Sequence, residues 1–201
     1  MIAIVEAAGW PIYLLLVASV VALWLISERL WFLRSKNVAP AGLLDKTIQE
    51  FKQGGTKEAL LSRLDSDSPL GRIFAAGLRN ANSSPEIMKE AIEETGRTVA
   101  HELERFLTTL GTLATISPLL GLFGTVVGMI EIFGAQTASG NTPAVLAHGI
   151  SVALYNTAYG LIVAVPSMIA YRHFRAQVDS LVIEMEQQAV KLVEIVHGAR
   201  R

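Results

Sequence analysis

The sequence predicts an all-α membrane protein with three transmembrane helices and long cytoplasmic helical extensions. Two observations support this fold class. Hydrophobic residues make up 51% of the 201 residues, which is high for a soluble chain. Lys and Arg are absent from residues 1–28 and 106–171, so basic residues are separated from the long apolar stretches. The chain contains no cysteine, which excludes disulfides, thiol nucleophiles and cysteine-based metal sites.

The first predicted transmembrane helix lies within residues 1–33, after a short N-terminal segment outside the membrane. Its apolar run covers about Gly9 to Ile26 and continues amphipathically to Leu33, which is enough for the roughly 20 residues that cross the hydrocarbon core. Glu6 stands near the start and no basic residue precedes the apolar run, unlike in a cleaved secretory signal. We therefore expect this segment to be retained as a membrane anchor.

Two further spans are predicted at residues 106–135 and 144–172. Residues 106–130 contain no ionisable side chain. The titratable groups of residues 132–171 are His148 and three tyrosines. Each stretch is long and apolar enough to cross the bilayer once.

The distribution of basic residues predicts how the spans are oriented. Turn-forming residues at 136–143, which carry no charge, predict a short loop between the last two spans. The positive-inside bias places this loop and the N-terminus outside, and residues 34–105 and 173–201 in the cytoplasm. The basic residues at the predicted cytoplasmic ends of the three spans are Arg29, Arg34, Lys36, Arg105, Arg172 and Arg175.

The cytoplasmic segments are predicted to be helical. Ser68-Pro69 and Ser84-Pro85 each combine a helix-capping serine with proline at the first helical position. After Ser84, apolar residues at three- to four-residue spacing predict one uninterrupted helix that enters the second span. The tail at 173–201 is predicted to continue the third span in the same way. The apolar stripes of these extensions fit either a bundle within one subunit or contacts between subunits.

Small and polar residues share one face of each of the last two spans on a helical wheel. Such faces fit close helix packing, as small-xxx-small patterns do in membranes. The alternative is a narrow hydrated path, because polar side chains at membrane depth need partners or water. The second span contributes Ser117, Gly121, Gly124, Gly128 and Glu131 with Thr125 at the border, and the third span contributes Gly149, Ala153, Asn156, Gly160, Ala164 and Ser167 with Thr157 beside them.

Two prolines and two titratable residues complete the candidate set. Pro118 and Pro166 lie inside the last two spans, where each removes a backbone hydrogen bond and permits a bend. Glu131 and His148 are the candidate proton carriers, but both lie close to the outer loop, where an interfacial role is the alternative. If the protein moves protons, the mid-membrane acid must therefore come from another polypeptide, which predicts an obligate partner.

Enzymatic and nucleic-acid functions find no support in the sequence. We find no Ser/His/Asp arrangement, phosphate-binding loop or metal-ligand spacing, and we expect no cofactor and no metal. Basic and acidic residues balance within residues 34–105, so no basic patch indicates nucleic-acid binding.

Two sequence blocks resemble the ExbB/TolQ/MotA group. Residues 117–128, Ser-Pro-Leu-Leu-Gly-Leu-Phe-Gly-Thr-Val-Val-Gly, are similar to the second-span signature of that group. Residues 149–166 are similar to its third-span motif, with Thr157, Gly160 and Pro166 at the matching places. Together with the three-span topology, the resemblance covers nearly the whole chain and favours the ExbB and TolQ branches.

The resemblance implies a subunit of a motor in the bacterial inner membrane. It implies a homo-oligomeric ring, expected to be a pentamer, around a single-span ExbD- or TolR-type protein that brings an intramembrane aspartate. Protons are the expected ion, and a TonB- or TolA-type energiser acting on the outer membrane is the expected recipient of the motion. By motif, Thr125 and Thr157 would be the pore-facing hydroxyls, with Asn156, Glu131 and His148 as secondary pathway residues. The packing residues would be Gly121, Gly124, Gly128, Gly160, Pro118 and Pro166.

The chain also departs from the family pattern, which leaves alternatives open. Many ExbB and TolQ proteins have a glutamate in the third-span block where this chain has Val152, and Glu131 either compensates for that loss or is incidental. A MotA-like flagellar stator is one alternative, although those proteins have four spans. The other is a membrane scaffold whose glycine-rich spans serve only oligomerisation.

Overall fold

The computed structural model describes residues 8–139 and 143–198, with side chains described except at 135–139, 143–146 and 148. Over these ranges the chain forms eight helices and no strand, which confirms the all-α prediction. The helices are α1 (Pro11–Phe32), α2 (Ser35–Val38), α3 (Leu43–Gly54), α4 (Glu58–Asp67), α5 (Pro69–Arg79), α6 (Pro85–Glu104), α7 (Leu107–Ser139) and α8 (Pro143–Val196).

Three helical stretches are long and apolar enough to cross a membrane, as the sequence predicts. They are Pro11–Phe32, the run Pro85–Gly134 and the run Gly149–Val196. The apolar parts of the last two runs belong to α7 and to the first part of α8. The described residues divide into two compact units, of which the first joins residues 8–28 to 106–173 and the second joins 29–105 to 174–198.

Helix α1 has one buried and one exposed apolar face. Ile12, Leu15 and Leu25 are at most 2% exposed, whereas Val17 and Val20 are more than 60% exposed. Since water disfavours such a broad apolar surface, lipid is the environment that suits it. This agrees with the role of a membrane anchor.

Between α6 and α7 the chain leaves helical geometry, where the sequence predicts one uninterrupted helix. Phe106 has φ of +66°, in the left-handed region that only glycine adopts without strain. Its ring meets that of Trp24 edge-on, with 5.8 Å between centroids. One cause of the break is long-range: the Leu103 carbonyl, which a continuing helix would bond internally, accepts from Arg29 Nη1 at 3.0 Å. The sequence around Phe106 contains no pattern that predicts this break in the helix.

Helix α7 extends further than the sequence predicts. Residues 136–139, which we predicted to be loop, belong to α7, and α8 begins at Pro143. Gln, Thr, Ala and Ser occupy these positions, and none of them breaks a helix as glycine or proline does. Both Pro118 and Pro166 lie inside helices that continue through them.

The second unit contains both predicted helix caps. Ser68 Oγ accepts from Gly71 N at 3.1 Å at the start of α5, and Ser84 Oγ accepts from Ile87 N at 3.5 Å at the start of α6. Each cap satisfies an amide that the first turn of a helix leaves without a partner. These hydrogen bonds between residues close together in the chain confirm the two predicted helix starts.

The last part of α8 packs within the chain. Gln177 Nε2 donates to the Leu33 carbonyl at 2.7 Å, and Arg175 pairs with Glu104 at 3.0 Å. The predicted apolar stripe of this segment is buried, which favours the bundle within one subunit over contacts between subunits. Its buried members are Val178, Leu181, Met185, Ala189, Leu192 and Val193.

Candidate functional site

The candidate site lies where α7 and α8 come into backbone contact. A Cβ added to Gly121 would stand 2.7 Å from the Asn156 carbonyl oxygen, and one added to Gly160 would stand 2.6 Å from the Ser117 carbonyl oxygen. Real Cβ atoms do not approach other atoms so closely. Both glycines are therefore required for the observed distance between the helices, as expected of small residues in membrane helix pairs.

The same contact continues toward the later residues of α7. A Cβ on Gly124 would stand 2.7 Å from Asn156 Cβ, and one on Gly128 would stand 3.2 Å from Ala153 Cβ. There is no room for water between the helices at these positions. The small-residue face is thus a packing surface, and a water path cannot run along it inside the helix pair.

Thr125 and Thr157 meet at the edge of this packing surface. Their Oγ1 atoms are 2.5 Å apart, and either hydroxyl can be the donor. Both also lie near the Gly121 carbonyl oxygen, at 3.1 Å from Thr125 Oγ1 and 3.3 Å from Thr157 Oγ1. The two threonines are half-buried, so one side of the pair is accessible from outside the chain.

The geometry gives this hydroxyl pair two equivalent hydrogen-bond arrangements. Thr125 donates to Thr157 while Thr157 donates to the Gly121 carbonyl, or the two roles are exchanged. In each arrangement lone pairs remain on the hydroxyl oxygens for a donor from outside. Threonine is not among the side chains that titrate near neutral pH, so the pair can relay hydrogen bonds but cannot store a proton.

Asn156 lies beside Thr157 in sequence but has a different partner. Its side chain is fully buried, and Nδ2 donates to the Ala8 carbonyl oxygen at 2.8 Å. The amide is therefore engaged by the N-terminal segment, and the structure shows no hydrogen bond between it and the hydroxyl pair among the described residues.

The two candidate proton carriers stand apart from the pair. Glu131 is exposed and lies six residues beyond Thr125, which is about 9 Å along a helix axis. His148 belongs to α8, but its side chain lies outside the described residues. The hydroxyl pair is thus the part of the predicted set that the structure brings together.

Three contributors to the site escaped the sequence analysis. The Gly121 carbonyl could have been found, because a helical threonine commonly bonds the carbonyl four residues earlier. The contacts of Ala8 and of Trp10 could not, since they join residues far apart in the chain. Trp10 meets the Phe123 ring edge-on, with 5.9 Å between centroids.

Comparison with known proteins decides the family. The sequence profile of the MotA/TolQ/ExbB proton channel family matches residues 65–187, which include both the hydroxyl pair and the glycine contacts. The chain belongs to this family. The resemblance that the two motif blocks carry is thereby confirmed, and the family is one of channels and transport subunits rather than of enzymes.

Individual members of the MotA/TolQ/ExbB family support the ExbB and TolQ branches. The chain is 30% identical over 183 residues to the biopolymer transport protein exbB1 of Vibrio cholerae, covering 89% of this chain and 79% of that protein. It is 35% identical over 133 residues to the Tol-Pal system protein TolQ of Pseudomonas aeruginosa, covering 60% and 58%. Identity reaches 47% over 73 residues with ExbB of Salmonella typhimurium, covering 35% and 30%.

Proposed function

We propose that this protein is an ExbB/TolQ-like inner-membrane subunit of a motor driven by the proton-motive force. With a single-span ExbD- or TolR-type partner, it energises TonB- or TolA-dependent processes at the outer membrane. Membership of the proton channel family and the similarity to ExbB and TolQ proteins support this proposal. The transported ion is H⁺, and the protein itself needs no cofactor.

One observation carries the proposal: the hydroxyl pair is half-exposed, and no carboxylate among the described residues bonds to it. Thr125 and Thr157 are bonded to each other and to a carbonyl, and Glu131 is turned out to the surface farther along α7. A proton pathway through a membrane needs a group that loads and unloads a proton. Because the helix pair is closed behind the hydroxyls, that group must approach from the exposed side.

The hydroxyl pair suits both protonation states of an approaching carboxyl group. A protonated aspartate can donate to a free lone pair on either hydroxyl oxygen. An ionised aspartate can instead accept from one hydroxyl, which gives up the Gly121 carbonyl while the other hydroxyl donates to its oxygen. The proton state of the partner thus decides whether both hydroxyls donate within the chain or one of them donates outward, without moving the helices.

The remaining features of the proposal follow the family. The subunits form a homo-oligomeric ring, expected to be a pentamer, that encloses the partner helix within the lipid bilayer. The N-terminus lies in the periplasm and the C-terminus in the cytoplasm, in agreement with the distribution of basic residues. The scaffold alternative loses its main support, because the glycine face that would serve oligomerisation is buried within one chain.

The test is proton flux in proteoliposomes that contain the protein and its cognate single-span partner under an imposed potential. Thr125→Val and Thr157→Val each remove one hydroxyl at nearly constant shape. Thr115→Val is the matched control, since Thr115 lies on α7 and its hydroxyl bonds only carbonyls of that helix. Either single variant leaves the Gly121 carbonyl with a hydroxyl donor, so the expected loss of stability is below about 1 kcal/mol.

We expect both site variants to assemble normally and to lose at least tenfold in flux, the scale at which one lost transition-state interaction of about 1.4 kcal/mol acts. The control should retain the parent flux. Unchanged flux in both site variants would remove the assignment of the hydroxyl pair. No proton flux from the parent protein with its partner, or activity that survives collapse of the potential, would instead support the scaffold alternative.

A further inference from the structure

We propose that Asn156 is a positioning residue that holds the N-terminal segment, residues 8–11, across α7 and α8 at the level of the hydroxyl pair. This inference rests on the proposed function. Asn156 Nδ2 donates to the Ala8 carbonyl oxygen at 2.8 Å, and the two residues are 148 positions apart in the chain. Only the amide nitrogen can face a carbonyl oxygen as donor, so the orientation of the side chain follows from the bond.

The contacts of this segment reach both helices at the level of the hydroxyls. Asn156 precedes Thr157 on α8, and the Trp10 ring meets Phe123, which lies two residues before Thr125 on α7. Ala8 is 5% exposed, although it precedes the first helix. The segment therefore bridges α7 and α8 at the height of the two hydroxyls along the helices.

The arrangement around Asn156 is more specific than packing requires. Gly124 gives way to the amide, since a Cβ there would stand 2.7 Å from both Asn156 Cβ and Cγ. Asn156 Oδ1 is buried and has no hydrogen-bond partner among the described residues. A buried amide that leaves one group unsatisfied is unfavourable compared with a small apolar residue. The hydrogen bond to Ala8 is the interaction that the amide makes and that a small apolar residue at this position would lack.

The latch, meaning the Asn156–Ala8 hydrogen bond, closes one side of the helix pair. Asn156 is fully buried, whereas its neighbour Thr157, one member of the hydroxyl pair, is half-exposed. The partner's carboxyl group then has one direction of approach. When the latch is absent, the segment no longer covers this side of the helix pair, and the approach of the carboxyl group is no longer restricted to one direction.

A single cysteine at Ala8 reports on the latch without proton flux, because the chain contains no native cysteine. Ala8→Cys in the otherwise unchanged protein, reconstituted with its partner, should react slowly with a membrane-impermeant maleimide. Adding Asn156→Ala should raise the labelling rate about tenfold or more, as expected when a buried carbonyl loses its donor and the segment opens more often. Ser167→Ala is the control, since this buried hydroxyl bonds only Val163 within α8.

Asn156→Asp supplies a readout that mere loss of packing would not give. A protonated aspartic acid can donate its O–H to the Ala8 carbonyl, whereas an ionised one cannot. Labelling of the cysteine at position 8, relative to the Asn156 protein at each pH, should therefore be slow at low pH and accelerate as the acid ionises. A pH-independent rate equal to that of Asn156→Ala would contradict the latch.

Proton flux then connects the latch to the pathway. Per assembled complex, Asn156→Ala should lower partner-dependent flux several-fold and Ser167→Ala should not. Equal labelling of Asn156→Ala and parent would overturn the inference even if the threonine variants behave as proposed. Faster labelling with unchanged flux would overturn the positioning role. Absence of flux in the parent would defeat the proposed function, and with it the positioning role, while the labelling rates would still show whether the hydrogen bond holds the segment.

Discussion

At the scale of single residues, four glycines set how closely the two threonines approach. Gly121 and Gly160 bring their own Cα atoms into near contact, since a Cβ on Gly160 would stand 3.1 Å from Gly121 Cα. Thr125 follows Gly121 by one turn and Thr157 precedes Gly160 by three residues, so both hydroxyls are carried by this contact. Their 2.5 Å separation depends on the absence of side chains nearby.

Gly160→Ala tests this dependence. The new Cβ would meet the backbone of Ser117, which cannot give way as a flexible side chain would. We expect the free energy of unfolding to fall by about 1–3 kcal/mol, the usual range for an overpacked contact. Reversible unfolding in mixed detergent micelles measures the change.

The control for this substitution is Gly134→Ala, also on α7. A Cβ at Gly134 meets no atom within 4 Å, so stability should stay equal or rise slightly with the better helix propensity of alanine. If both variants lost the same stability, the loss would belong to the helices themselves and not to their contact.

At the scale of helices, the end of α6 depends on a side chain from α1. Arg29 is 2% exposed, donates to the Leu103 carbonyl at 3.0 Å, and stands 4.9 Å from the centre of the Phe32 ring. A cation at the carboxyl end of a helix is favoured by the helix dipole. In the sequence, Arg29 is one of the basic residues that predict the orientation of the spans. The structure adds its role as the cap of α6.

Arg29→Met should destabilise the second unit. The Leu103 carbonyl would lose a charged donor in a buried setting, for which we expect about 2 kcal/mol of lost stability. Arg34→Met removes an exposed arginine just beyond α1 and serves as the control, with an expected change near zero. Thermal unfolding followed by circular dichroism compares them. Equal losses in the two variants would show that charge, and not capping, is what matters.

Helices α5 and α6 are joined by an ion pair that predicts a pH dependence. Arg72 donates to both carboxylate oxygens of Glu102, at 2.5 and 3.0 Å. The hydrogen bonds from Arg72 hold the pKa of Glu102 below its ordinary value of 4.5. A depressed carboxyl pKa contributes stability above the unfolded value, and that contribution is lost as the pH falls through the folded pKa.

Glu102→Gln should therefore destabilise the protein at neutral pH and not in acid. Because both side chains are about one-third exposed or more, solvent screening limits the expected change to about 0.5 kcal/mol. The difference from the parent should vanish as the pH is lowered below 4.5. Glu93→Gln is the control, since its pair with Arg97 is long, at 3.8 Å, and largely exposed. A difference that persists in acid would contradict the ion-pair explanation.

At the scale of the whole molecule, the orientation in the membrane remains a prediction of the basic residues. Single cysteines can test it without background, because the native chain has none. Asn141→Cys, in the predicted periplasmic loop, should react with an impermeant maleimide added to intact spheroplasts. Asn82→Cys, at an exposed position between α5 and α6, should react only after permeabilisation. The reverse pattern would invert the topology and the direction of proton entry.

The spans, the helix caps and the family motif could be predicted from the sequence, because each depends on residues close together in the chain. Apolar length predicted the three spans, since crossing lipid is a requirement on each segment separately. The capping serines Ser68 and Ser84 predicted two helix starts because a cap bonds an amide two or three residues away. The motif at 117–128 indicated the family, and it carries most of the glycines that make the helix contact.

Which helix faces pack together, and which side chains bond across them, follows only from the folded arrangement of the helices. On a helical wheel, Thr125 and Thr157 lie beside two small-residue faces. Such faces fit either close helix packing or a water path. The backbone contact at Gly121 and Gly160 closes that path and leaves the hydroxyls at its edge. The bond from Asn156 to Ala8 joins residues 148 positions apart, so no local pattern contains it. Periodicity records which face of a helix avoids water, whereas the partner of that face depends on the packing of all helices at once.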